Sequence, residues 1–143
     1  MNIVVIKSNY FENVPKKKMN SALNEYLKKY MRGNDYFVDG EKIIVNKFSV
    51  GKLTYGKTLF DRRIEKNIRN ELKANIIVNI NEIIENSVIY QKNRKDNKDH
   101  NFADTFDRRK AIILYKDIKY KIMFEVGKKD GKNTLYGIEH IKK

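Results

Sequence analysis

Histidine is the side chain best suited to acid and base work near neutral pH, and this chain holds two, His100 and His140. Around them in the sequence stand Lys52, Thr54, Tyr55, Lys57, Arg108, Arg109 and Tyr136. These are the types that cutting RNA without a metal requires. A base takes the proton of the ribose 2′-hydroxyl, an acid protonates the departing 5′-oxygen, and cations stabilise the pentavalent phosphorane. Each has an ordinary use as well. A His in a charged loop is commonly only solvated, a His on a last strand is often structural, and paired arginines before a strand guard a sheet edge.

Other chemistries find less support. Two-metal nucleases need converging carboxylates, and here the acidic residues are scattered among cations, so no metal ligands and no cofactor are assigned. Asp117-Ile118-Lys119 has an acid-x-Lys spacing, but that spacing is common by chance and Asp117 reads as a turn residue. Gly51 and Gly56 lack the pattern of a phosphate-cradling loop. No Ser/His/Asp set stands above background, and the absence of Cys excludes disulfides and thiolate metal sites.

Charge narrows the partner. Thirty-one Lys and Arg oppose eighteen Asp and Glu, a formal +13, and such a surplus favours polyanions because neutralised phosphates release condensed counterions. Genome bias towards Lys and Asn accounts for part of it; an acidic protein or a membrane surface are the other partner classes. No run of about 18 apolar residues exists, so no membrane insertion is expected, and the N-terminal segment is too short and polar for a signal peptide.

These residues must be positioned by local elements. Ile3 to Ile6 reads as a strand, and Pro15 opens a helix with Met19, Ala22, Leu23, Tyr26, Leu27 and Tyr30 on one face and Gly33 as its stop. Tyr36 to Val38 and Ile43 to Val45 flank Asp39-Gly40, a two-residue hairpin signal. After a glycine-punctuated stretch from Ser49 to Gly56, Phe60, Ile64, Ile68 and Leu72 predict a helix over 57–73. On that helix Arg62, Lys66, Arg69 and Lys73 would line up as a basic stripe. Asn79 or Asn81 reads as the cap of a short helix with Ile80, Ile83, Ile84 and Val88 on its face. Residues 91–104 read as an exposed, mobile basic loop containing His100. Strands at 111–115, 118–126 and 135–141, the last two joined by a turn over 127–133, then form an antiparallel meander, with Tyr136, Ile138 and His140 on one face by simple alternation. The expected fold is α+β: N-terminal helices packed on a C-terminal antiparallel sheet. It is one domain over 1–143, with a helix-rich part with a hairpin (1–90), the loop (91–104) and the meander (105–143).

The order of these pieces resembles a known class. Asn9-Tyr10-Phe11-Glu12-Asn13, a helix, the Asp39-Gly40 hairpin and Ser49-Val50-Gly51-Lys52 look like a group of phage and mobile-element domains of the barnase–EndoU–colicin–RelE class of RNase folds. Ile80 to Ser87 is similar to the group's short helix, and His100 ahead of Ala111 to Tyr115, with Leu135-Tyr136-Gly137-Ile138 on the last strand, also fits. The resemblance implies a concave sheet face that cuts RNA. Lys52 matches the group's lysine after the hairpin, His100 its loop histidine, and Thr134 with Tyr136 the Thr-x-Tyr pair that seats base and phosphate. Here Lys52 precedes both histidines, contrary to EndoU enzymes, so acid and base stay unassigned. Members serve as toxins, including contact-dependent inhibition toxins that cut tRNA, and are neutralised by an immunity protein.

The expected function is therefore a metal-independent ribonuclease toxin acting on RNA, above all tRNA, in the cytoplasm of a target cell. His100, His140, Lys52, Thr134 and Tyr136 form its catalytic set; Lys57, Arg62, Lys66, Arg69, Arg108 and Arg109 bind RNA. An acidic immunity protein or antitoxin would meet the basic face. The alternative is a non-catalytic nucleic-acid-binding or phage accessory protein.

Overall fold

A computed structural model of the chain describes residues 2–95 and 102–143; His100 falls outside them, as does the middle of the loop expected around it. The fold is α+β and is built on a long meander: β6 (Thr105–Tyr115), β7 (Ile118–Lys129) and β8 (Lys132–Lys142) pair antiparallel in sequence order. Both connections are two-residue turns with left-handed backbone, Lys116-Asp117 (φ 49° and 65°) and Asp130-Gly131 (φ 52° and 74°). That backbone matches the twist of the strands it joins. The same chemistry at Asp39-Gly40 joins β2 (Asp35–Val38) to β3 (Glu41–Ile44), as the sequence indicated.

The sheet is larger and more mixed than an appended meander. It has eight strands, and the N-terminal segments join it rather than only covering it. β1 (Ile3–Ile6) runs parallel to β6, while β3 and the short β4 (Leu59–Phe60) run parallel to β8. β5 (Val88–Arg94) adds antiparallel to the other half of the β6 edge, with register shifts. Part of the expected mobile loop is therefore strand, and Val88 starts a strand instead of ending a helix face.

One side of the sheet is buried against the helices. Ile113 of β6, Ile122 and Phe124 of β7 and Ile141 of β8 share a single core with Leu23 and Leu27, with Leu72 and Ile76, and with Ile80 and Ile83. Each such side chain stabilises by about 1.5–3 kcal/mol relative to exposure. The first helix, α1 (Met19–Tyr26), continues into a π-turn over Leu27–Met31, where the Arg32 amide donates to the Leu27 carbonyl. The extra residue per turn swings Met31 into the core and leaves Tyr30 exposed, against the expected face.

The helix expected over 57–73 does not exist. The helix lies before it, α2 (Lys47–Tyr55), started by a capping box in which the Asn46 side chain accepts from the Ser49 amide and Ser49 Oγ accepts from the Asn46 amide. Asp61 then breaks the following segment by accepting the Arg63 amide, and helix α3 begins only at Arg69 (Arg69–Val78), followed by α4 (Ile80–Glu85). Ile64 and Leu72 are buried and Phe60 and Ile68 half-buried, so the four apolar positions do face the core, but from a strand, a turn, a 3-10 turn and a helix. Asn79 precedes α4 without capping it; its side-chain amide donates to the Asn75 carbonyl.

Candidate active site

The open side of the sheet is read row by row from the pairing register. Arg108, Glu125 and Gly137 form one row, and Lys110, Met123 and His140 the next. Beyond them lie Ile112, Lys121 and Lys142, then Leu114 and Lys119. In β8 two register shifts, between Met123/Phe124 and Glu125/Val126 on the partner strand, insert Glu139 and Tyr136 as extra residues. Such bulges re-aim side chains. As a result Tyr136 and Glu139 reach the open side, whereas Ile138, expected there by alternation, sits opposite Phe124 in the core.

Helix α2 covers the β8 edge between its short pairings with β3 and β4, and a cleft of about 240 Å³ opens there. Lys52, Lys57, Glu125, Tyr136, Gly137 and Glu139 are among its lining residues. Gly56 turns the chain sharply out of α2, its amide donating to the Lys52 carbonyl, and Thr58 Oγ1 donates to the Ile138 carbonyl at 2.8 Å. These contacts hold Lys52 and Lys57 at the rim. Lys52 Nζ stands 5.1 Å from the centre of the Tyr136 ring. That ring packs edge-on against Phe102 and Phe106, at 4.7 and 5.1 Å. Phe102 fits only because Gly127 has no side chain: a Cβ there would lie 2.6–2.8 Å from the Phe102 ring and Ala103. Gly127 is thus part of a strand under a ring, not of the expected turn.

Two carboxylates share one guanidinium in the cleft. Arg108 reaches Glu139 at 2.9 Å and Glu125 at 3.8 Å, and Arg94 approaches Glu139 at 3.9 Å. Glu125 is nearly buried, and the Arg108 and Glu139 side chains are only 21% and 25% exposed, so water screens this cluster weakly. Tyr90 of β5 lies beside it; burial, then the charges of Glu139 and Glu125, push its phenol up to about 12. It therefore stays protonated and able to donate. Paired carboxylates, a guanidinium and two lysines on the rim are the groups that accept a proton and hold a phosphate.

Of the residues singled out in the sequence, the cleft brings together Lys52, Lys57, Tyr136 and Arg108. His140 lies on the same side one row away, beside Met123 and Leu59, and Thr134 lies further along opposite Gly127. Arg109 points the other way. It is 1% exposed, donates to Ser87 Oγ and Asp39 at 2.8 Å, and ties the β2–β3 turn to the start of β5, so it is a core residue and not an RNA contact. Arg62, Lys66 and Arg69 form no stripe because no helix carries them together; Arg69 donates to the Ile64 carbonyl and stacks over Phe60. Glu125, Glu139, Arg94 and Tyr90 were missed. The available signal was Glu125 itself, the lone acid among Lys119, Lys121 and Met123 on the outward positions of its strand. Among the described residues no three His, Asp or Glu side chains are arranged to hold a metal ion.

Comparison with known proteins adds one finding. No match emerged among curated proteins or among solved structures. The family described as large polyvalent protein-associated domain 3 matches residues 15–136, a span that includes Lys52, Lys57, Arg108, Glu125 and Tyr136 of the cleft. With most of its length matched, the chain belongs to the large polyvalent protein-associated domain 3 family.

Proposed function

We propose that this domain cuts RNA by attack of the 2′-hydroxyl on the adjacent phosphate, without a metal. The observation that carries the reading is the pair Glu125 and Glu139 on Arg108, in a cleft rimmed by Lys52 and Lys57, on the open side of a basic sheet. Glu139, the more open carboxylate, is the base. Arg108 exchanges part of its carboxylate contact for the phosphate and, with Lys52, stabilises the phosphorane. Tyr90 donates a hydrogen bond, Tyr136 offers its ring to a base, and His140 is placed one row away to protonate the leaving oxygen. Separated acid and base roles of this kind contribute about 10²–10⁴-fold each.

The central antiparallel strands, with helices on one side and a polar cleft on the other, support the barnase–EndoU–colicin–RelE class as the structural setting. In that setting the domain is a toxin that cuts tRNA in the cytoplasm of the cell it enters, and an immunity protein or antitoxin presents acidic side chains to the same basic side. The test compares wild type, Glu139→Gln, Arg108→Gln and His140→Ala on a tRNA pool. A loss of about 10²-fold or more in Glu139→Gln is expected. Wild-type rates in both Glu139→Gln and Arg108→Gln would sink the assignment, and salt-sensitive binding without any product would favour a non-catalytic binder.

A further inference from the structure

Beyond the cleft the open side of the sheet carries lysines that the fold itself does not need. Lys121 and Lys142 are directly opposite each other on β7 and β8, a like-charge pairing that destabilises an antiparallel ladder. Lys110 and His140 flank Met123 in the row nearer the cleft, and Lys119 extends the line in the row beyond. Among the described residues none of these four lysines has a carboxylate partner within ion-pair distance. Next to them Ile112 and Leu114 are only half-buried, and Ile3 and Val5 of the edge strand are 43% and 50% exposed, although each points to the open side. A charged groove that tracks the backbone is one half of what a single strand requires, and the aliphatic surface beside it offers the bases apolar contact rather than ring stacking.

We infer that this half of the sheet is a track for a single-stranded RNA segment leading out of the cleft. Its phosphates pass Lys110, Lys121 and Lys142, and its bases lie over Ile112 and Leu114. Continuity favours RNA over an acidic protein as the occupant. The Lys121–Lys142 row is four residues along β7 from Glu125, about 14 Å at about 3.4 Å per residue. A strand held at the cleft reaches it without a bend. The inference rests on the cleft being the cutting site, but it is tested separately.

The probe is a fluorescent 2′-O-methyl oligonucleotide of eight residues, which binds but has no 2′-hydroxyl to attack. Its affinity is measured from 0.05 to 0.5 M NaCl for wild type, the double variant Lys121→Gln/Lys142→Gln, and Lys132→Gln at the far end of β8. Loss of two phosphate contacts lowers the salt slope by about 1.4, or roughly 25-fold in affinity at 0.1 M salt. Lys132→Gln should bind as wild type does. The double variant should also melt no lower than wild type, because a like-charge pair has been removed, and it should cut a dinucleotide that occupies only the cleft at the wild-type rate. Equal slopes and affinities in wild type and double variant would overturn the track, as would an unchanged oligonucleotide affinity with lost binding to polyglutamate. A protein that binds in this pattern yet cuts nothing would overturn the cutting site and leave the track standing.

Discussion

Replacing Arg108 with Met leaves Glu125 and Glu139 without the cation they share while keeping most of the apolar stem. Attraction between unit charges about 4 Å apart is about 4 kcal/mol at an effective dielectric of 20, before desolvation is subtracted. The two distances here are 2.9 and 3.8 Å. Removing one partner of a buried pair costs about 3–5 kcal/mol. Glu139 is partly exposed and keeps Arg94 at 3.9 Å, so its share is smaller, and burial of Glu125 makes its share the larger. We expect about 2–4 kcal/mol at pH 7. The sign with pH follows from Glu125: with the Arg108 charge gone, burial weighs more heavily against its charged form than in wild type, so the folded variant takes up a proton more readily than folded wild type does. Its deficit must then shrink as pH falls. Urea unfolding of wild type and Arg108→Met at pH 7 and pH 5 reads this out, with the deficit expected to fall by about 1 kcal/mol or more. Adding Glu125→Gln should recover about 1–2 kcal/mol, since directly coupled residues show interaction energies of about 0.5–3 kcal/mol. A deficit that is equal at both pH values, or a double variant whose losses simply add, refutes the shared-cation account.

Glu71 makes the opposite prediction. Burial raises its carboxyl, but hydrogen bonds donated by Tyr115 and Lys116 outweigh that and hold it below the usual value. Its stabilisation is present above the unfolded value and lost as pH falls through the folded one, so Glu71→Gln should flatten the acid side of the stability profile below about pH 4.5 in urea melts. Gly51 and Gly56 separate by environment. A Cβ at Gly51 in α2 meets nothing within 4 Å and should stabilise by about 0.5–1 kcal/mol through helix propensity. At Gly56 it would lie 2.3 Å from the Lys52 carbonyl oxygen, so Gly56→Ala should both lower the melting temperature and weaken cutting. Gly127→Ala should cost about 1–3 kcal/mol by displacing Phe102 and Ala103, and less in a Phe102→Ala background, where only the Ala103 contact remains, as calorimetry would show.

Turn chemistry made part of this fold legible. Asp39-Gly40 marks a two-residue turn by residue type alone, whereas the turn expected over 127–133 shrinks to Asp130-Gly131, and period-two alternation from Ile118 to Val126 gave β7 its core side. Spacing failed where the chain changes element without changing period. Phe60, Ile64, Ile68 and Leu72 keep a four-residue rhythm because each meets the core, yet Asp61 and the 3-10 turn before Arg69 prevent a single helix. The capping box of Asn46 and Ser49 was the overlooked sign of where the helix starts. Half the candidate site was legible as Lys52, Lys57, Arg108 and Tyr136. Glu125 was legible as an outward acid but had no visible partner, and Glu139 was not, because strict alternation puts Ile138 outward and only the two bulges of β8 bring Glu139 to Arg108. Nor does a sequence distinguish Arg108 from its neighbour Arg109, which spends its charge on Asp39 and Ser87 in the core.

The central claim is tested most directly by incubating the purified chain with total bacterial RNA, with and without EDTA, and resolving the products on a denaturing gel. The account predicts discrete tRNA-sized fragments that persist in EDTA, end in 2′,3′-cyclic phosphate, and vanish with Glu139→Gln. Intact RNA under both conditions, or cutting abolished by EDTA, would contradict it.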